Sequence, residues 1–437
     1  MTNKNKQLPL VKGKWPWKAA FDLIKDPIGR TKKQFESHGD IYRVSAPIPF
    51  VVVTGYEHAK TILQQNWRNY TKGPAYKGFG LMLGDGILNS EGEKWKKQRK
   101  MIQPSFNKEA VNQLYETMSD QVDELIKSWQ RKKTSSIQLK DEMIAISIKI
   151  ISVVLIGEAR SSHYEAKLLP LIQKQYSFVL YHNRNFFKFP LWFPTRRNIV
   201  YKKTKEELKQ LVHEIIALKK TDNDDTLLCR LIQATDEQGN KMTTDELHDE
   251  FLTLFVTGYE TTGSALSWAL ILLAQHKKMQ DKLVEELIEN DTHLEGVTRS
   301  KWLNGVIKET LRLYPSVWLI ARKPIVEDHV NGWKIPKKAH VLICSFIAHR
   351  DPKYWQDPEK FLPQRFFNRQ DLSGYMPFGL GARMCIGNHF SHIEMMAVLA
   401  KMSKAYSFSL PSDQRVEIDP KITLQPKGDL SLNIVPR

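Results

Sequence analysis

Cysteine is scarce in this chain: Cys229, Cys344 and Cys385 are the three among 437 residues. Their spacings form no pairs, which excludes a disulfide framework and points to a reducing compartment, by default the cytoplasm. No low-complexity tract or internal repeat stands out. A composition of 41% hydrophobic and 26% charged residues excludes wholesale disorder. The basic N-terminus, Met-Thr-Asn-Lys-Asn-Lys-Gln-Leu-Pro, has no apolar stretch behind it and so does not read as a secretory signal. Uninterrupted apolar runs are missing too. The most apolar long segment, residues 251–274, carries Glu260 and several Thr and Gly near its middle, which marks a buried core helix rather than a membrane span.

Acidic residues are in deficit: 48 Asp and Glu against 65 Lys and Arg leave a formal net charge of +17. A basic protein can meet nucleic acid, an anionic membrane or an acidic protein, and lysines spread over amphipathic helices equally describe a solvated surface. No nucleic-acid reading motif accompanies the charge.

Strand-like alternation around a Pro-punctuated turn occupies residues 39–54, and a helix is predicted over 56–65. Residues 70–89, rich in Gly and aromatics, read as a long functional loop. Helical spacing then covers 94–101, 108–130, 140–157 and 165–180. The stretch 181–193, with its aromatics, prolines and a polar cluster, reads as a second lid, its polar part as a solvated loop tip. Helices follow at 197–220, near 226, over 251–274, at 275–290 and at 299–313, the last stopped by Pro315. A β element lies at 321–347, with a turn at Asn331-Gly332. Residues 350–381 are irregular, and 388–404 are helical. No linker separates two cores, so one mainly α domain with small β-sheets is expected over 1–437, its helical core over 94–313.

Four constellations carry chemistry. In Phe378-Gly-Leu-Gly-Ala-Arg-Met-Cys385-Ile-Gly387 a cysteine stands just before a helix N-terminus, where a thiolate is favoured. Gly379, Gly381 and Gly387 let backbone and a flat cofactor approach, and Arg383 can reach an anion. Taken alone, Cys385 is better explained as an inert buried thiol. In Thr257-Gly258-Tyr259-Glu260-Thr261-Thr262 an acid sits beside an alcohol in an apolar helix, which is costly unless hydrogen-bonded and therefore a functional candidate. A Thr bonding back to the carbonyl four residues earlier is a compatible structural reading. Glu309 and Arg312 stand at i and i+3, allowing an ion pair. Lys94, Trp95, Lys96, Lys97, Arg99 and Lys100 form a dense basic helix.

The cysteine stretch resembles the heme-binding loop of the cytochromes P450. The other three constellations, the third together with Arg365 in Pro363-Gln-Arg365-Phe366, are similar to that family's signatures and occur in its order from Trp95 to the C-terminus. The resemblance implies a triangular-prism P450 fold with a long central helix over heme b, and Cys385 as the axial thiolate of its iron. It implies that Phe378 shields that thiolate, that Gly379 lets the cofactor approach, and that Arg383, Trp95, Arg99 and, more weakly, Arg322 hold the heme propionates. It further implies that Gly258 leaves room for dioxygen and that Glu260 and Thr261 manage proton delivery. The Glu309, Arg312 and Arg365 cluster would be structural, and His349 structural rather than a ligand. The family usually has Ala or Gly where this chain has Thr257, which predicts a narrower, more polar distal pocket.

The activity implied is O2-dependent monooxygenation of a small-molecule substrate. With no flavin or iron–sulfur sequence appended, electrons are expected from a separate ferredoxin and ferredoxin reductase, docked on the basic helix. A heme sensor or store is the alternative from another class, against which the acid–alcohol pair argues. Substrate contacts are expected from Phe79, Leu81, Tyr181, His182, Leu254, Thr257, Val317 and Leu319. Phe79, Leu81, Phe186 and Phe187 suit a fatty chain. If the polar cluster at 181–185 points inward, its hydrogen-bonding groups suit instead a methylated sugar such as 6-O-methyl-D-galactose, oxidatively O-demethylated to release formaldehyde.

Overall fold

The chain is described from a computed structural model over residues 6–13, 18–46, 49–73, 75–184, 189–222 and 224–437. The alternation at 39–54 becomes β2 (Ile41–Val44) and β3 (Phe50–Val53), an antiparallel pair, with β1 (Leu10–Val11) added parallel to β2. Three strands from elsewhere complete the sheet: β4 (Tyr70–Lys72), β5 (Leu319–Pro324) and β6 (His340–Cys344). The order is β1-β2-β3-β6-β5-β4, with β3 parallel to β6. Early and late segments therefore share one sheet, while the Asn331-Gly332 turn closes a separate two-stranded hairpin with both residues at positive φ.

The expected long loop at 70–89 is not one. It holds β4, paired with β5, and α1 (Ala75–Leu83). Phe79, Leu81, Met82 and Leu83 pack against the main core there, so tertiary burial overrides the Gly content that argued against a helix. The following turn is tied to the central helix, where Asp85 N–H donates to Asp249 and Ile87 N–H to Glu250.

Helices α2 (Gly92–Ile102), α3 (Leu139–Ile156), α4 (Glu158–Arg184), α5 (Arg196–Lys219) and α6 (Thr244–Gln275) build the core. The central helix α6 begins earlier than its apolar run because Thr243 and Glu246 form a capping box. It buries Phe251, Phe255 and Trp268 completely, together with Ile150 and Leu155 of α3 and, from the helix after the cysteine, Leu399. Helices α7 (Lys301–Leu313) and α8 (Asn388–Ala405) complete this packing. The sequence did not reveal the C-terminal strands, among them the hairpin β7 (Ile418–Pro420) and β8 (Leu424–Pro426). Trp268 Nε1 and Ser264 Oγ both donate to Leu424 O and clamp that hairpin to α6. Among the described residues no helix is long and apolar enough to cross a membrane.

Candidate active site

The cysteine loop owes its path to two glycines at positive φ, Gly379 and Gly381. A β-carbon on Gly381 would also collide with the Leu63 carbonyl at 2.3 Å, so the loop lies directly on residues 61–65. Cys385 N–H donates to Phe378 O at 3.0 Å and closes the turn. Cys385 is exposed as a residue, yet its thiol is surrounded by enough protein that burial pushes the pKa up. Both hold if it faces a space inside the molecule. The Gly387 N–H and the Arg99 charge favour the thiolate but do not overcome burial, so a cation on the open side would complete its stabilisation.

Arg99 donates from Nη1 to Met384 O at 3.0 Å, beside the cysteine. Arg383 lies over the Trp95 ring at 3.8 Å, donates to Ser90 O at 2.9 Å and pairs with Glu91. Burial lowers its pKa to about 10. Lys72 on β4, which nothing in the sequence singles out, donates to Ser90 O at 3.0 Å, and burial beside Arg383 and Arg322 depresses its pKa to about 7. Lys72 and Arg383 both lie near Glu91, with Asp85 a weaker neighbour of Lys72, and Arg322 adds a third cation beside them. Such an excess of positive charge suits an anionic ligand, and carboxylates at the edge of a flat cofactor would supply the missing countercharge.

On α6, Thr257, Gly258 and Thr261 are half-buried within a helix whose flanking turns are buried. Thr257 and Thr261 each donate to the carbonyl four residues earlier, at 2.6 and 2.7 Å. A β-carbon on Gly258 would meet the Ile151 side chain at 3.2 Å, so the missing side chain serves close packing of α6 on α3. Glu260 is buried, and burial raises its pKa. Its Oε1 accepts from Tyr176 Oη at 2.7 Å and from Thr423 Oγ1 at 3.2 Å, two partners without any sequence signal. A cysteine on one element, a helix turn with a half-buried alcohol and a buried acid on another, and the cations Lys72, Arg322 and Arg383 are the side chains that a heme with its iron and two propionates would need.

Glu309 and Arg312 are 0% exposed. Glu309 accepts from Arg312 Nε and Nη2 at 2.7 and 2.9 Å, from Arg365 Nε at 3.0 Å and from Leu362 N–H at 2.9 Å. Arg312 in turn donates to the carbonyls of His349, Pro358 and Lys360. His349 bridges Arg312 O and Met376 N–H, and burial holds its pKa near about 3, so it is neutral and structural. The irregular stretch before the cysteine loop is fixed by this network.

The substrate candidates are dispersed over several elements. Phe79 and Leu81 lie on α1, Leu254 is buried on α6, Val317 lies just before β5 and Leu319 at its start. Tyr181 and His182 are not on a solvated tip. They belong to the last turn of α4 and are half-buried, Tyr181 under the Arg197 guanidinium at 4.0 Å and His182 stacked on Phe178. Phe186 and Phe187, with Asn185, lie outside the described residues. The basic helix is less bare than its sequence suggests: Lys94 pairs with Asp85, Lys96 with Glu93, Lys97 with Asp236 and Lys100 with Glu237.

The family model described as cytochrome P450 matches residues 9–432. Cytochrome P450 4V2 of Rattus norvegicus is 29% identical over 406 residues, covering 85% of this chain and 77% of that protein. Cyclooctatin synthase of Streptomyces melanosporofaciens is 26% identical over 414 residues, covering 92% and 88%. The solved structure of a cytochrome P450, CYP102L1, superposes with a TM-score of 0.87 at 22% identity, over 99% of this chain and 100% of that one.

Proposed function

Because the chain belongs to the cytochrome P450 family, a family of heme-thiolate monooxygenases that take electrons from a redox partner, we propose that Cys385 is its iron ligand and that Lys72, Arg322 and Arg383 hold the heme carboxylates. The exposure of Cys385, with its thiol still surrounded by protein, is the observation that carries this reading. Heme, when bound, supplies the activation of dioxygen and the insertion of one oxygen atom into substrate. Gly387 N–H and Arg99 steady the thiolate, and Trp95 supports Arg383. Thr261 presents a hydroxyl on the half-buried side of α6, and Glu260 supplies an exchangeable proton from a buried carboxyl. The Glu309–Arg312–Arg365 network keeps the loop before Cys385 in place. A separate acidic ferredoxin with its reductase is the proposed donor.

For the substrate, the polar side chains of Tyr181, His182 and Thr257 among the candidate contacts make a small molecule with hydrogen-bonding groups the first reading, 6-O-methyl-D-galactose being its first candidate. Hydroxylation of its O-methyl carbon gives a hemiacetal that releases formaldehyde and leaves the free alcohol. Oxidation of an apolar chain is the second reading, favoured by Phe79, Leu81 and Leu254, which pack in or against the apolar core. A spectral titration of the holoprotein with the methylated sugar and with dodecanoic acid decides between them, followed by formaldehyde measurement under turnover. If the fatty acid shifts the heme spectrum and the sugar does not, the demethylation reading is wrong.

A further inference from the structure

Successive residues of a helix project about 100° apart, and Glu260 does not turn toward its neighbour Thr261. Its Oε1 takes two hydroxyl donors from other elements, Tyr176 of α4 at 2.7 Å and Thr423 of the β7–β8 turn at 3.2 Å. The Thr261 hydroxyl meanwhile donates to Thr257 O. The two donors differ in how firmly they are held. Thr423 accepts from Gln425 Nε2 at 3.1 Å, next to Leu424, whose carbonyl is fixed by Ser264 and Trp268. The Leu424 N–H donates to Ser316 O, and the Ser316 hydroxyl donates to Thr261 O at 2.7 Å. That side of the carboxyl belongs to the rigid core. Tyr176 instead rides on α4, the helix whose last turn holds Tyr181 and His182. Two residues on, Phe178 stacks on Tyr201 at 4.2 Å, and the Tyr201 hydroxyl donates to Leu81 O of α1.

We propose that Tyr176 is a positioning residue for the distal acid: together with Thr423 it clamps Glu260 away from Thr261, so that the orientation of the acid follows the position of α4. The inference rests on the proton-delivery role of Glu260 given above. Tyr176 contributes a hydrogen bond and keeps its own proton. The groups that set the titration of Glu260 are Tyr176 and Thr423, and Tyr259 beside it on α6 feels its charge; among the described residues no charged side chain contributes to its shift. Burial favours the neutral carboxyl, and the two donors favour the carboxylate.

The experiment is infrared difference spectroscopy of the holoprotein across a pH series, with the Glu260 carboxyl band assigned by its loss in Glu260→Gln. Tyr176→Phe keeps the ring and removes one donor, so the titration midpoint is expected to rise by about one pH unit. Thr423→Val is expected to raise it less, and Thr423→Ser to restore it. The alkaline limb of the turnover profile should move in the same direction in Tyr176→Phe, a shift that mere loosening of α4 would not produce. An unchanged carboxyl midpoint in Tyr176→Phe overturns the clamp. Turnover indifferent to Glu260→Gln overturns instead the delivery role beneath it, and the two failures are read on different variants.

Discussion

Replacing Glu309 by Gln tests the reasoning about the buried network most directly. The carboxylate accepts four hydrogen bonds, three from two guanidinium groups and one from Leu362 N–H, and both Glu309 and Arg312 are 0% exposed. Gln preserves the volume but removes the charge and turns an NH2 group toward an arginine. The Arg312 guanidinium is then a buried cation without its counter-ion, a situation that costs about 3–5 kcal/mol. Against a total stability of about 5–15 kcal/mol that is a large share. The unfolded fraction should rise about 100-fold or more. Urea denaturation followed by far-UV circular dichroism should show a lower midpoint at an unchanged m-value. Heme absorbance should be lost at the same or lower urea, because the network holds the segment leading to Cys385 through His349 and Met376. As a control, Lys18→Ala breaks a solvent-exposed pair with Asp22 and should cost at most about 1 kcal/mol. A Glu309→Gln protein within about 1 kcal/mol of wild type would refute the claim that the network bears on stability.

Cys385→His should bind heme yet give a carbon monoxide complex with the spectrum of histidine-ligated heme; a retained thiolate spectrum would remove Cys385 from the site. Lys72 offers a test by linkage. Its folded pKa, near about 7, lies below the usual lysine value, so between about pH 7 and 10 the unfolded chain binds a proton that the heme-free fold does not, and stability of the heme-free protein rises with pH in that window. An anion placed beside Lys72 raises its pKa again, so heme binding at pH 8.5 is expected to take up about one proton, measured calorimetrically in buffers of different ionisation heat, and Lys72→Met should abolish the uptake. First-electron transfer from an acidic ferredoxin should slow as ionic strength rises from about 0.05 to 0.5 M. A rate indifferent to salt would exclude electrostatic docking on α2, where four lysines already have acidic neighbours.

The parts of this site that were legible in the sequence are those whose partners lie a few residues away. The glycines and cysteine of 378–387 share one turn, Glu309 and Arg312 one helical face, and Glu260 and Thr261 adjacent positions. What the sequence hid depends on contacts across long separations. Tyr176 and Thr423 meet Glu260 from 84 and 163 residues away. Lys72 joins Arg322 because β4 pairs with β5, in the stretch whose glycines argued for a loop. Asp236 and Glu237 neutralise lysines of α2 that read as a bare basic patch. Local chemistry singled out these candidates, whereas their electrostatic balance depended on pairings that no local pattern records.

The interleaved sheet has a consequence for how the protein comes into being. Strand β3 is complete by Val53, but its parallel neighbour β6 lies roughly 290 residues later, which corresponds to roughly 15–60 s of synthesis at ~5–20 residues per second. Throughout that interval the β3 edge facing β6 has no native strand beside it, and the apolar residues Val51 to Val53 are without the cover that later segments provide. Long-range pairing of this kind is slow and open to aggregation. The yield of folded protein should therefore depend more on the pace of translation and on chaperones that shield a nascent edge than on the supply of heme, whose cysteine loop is made later still.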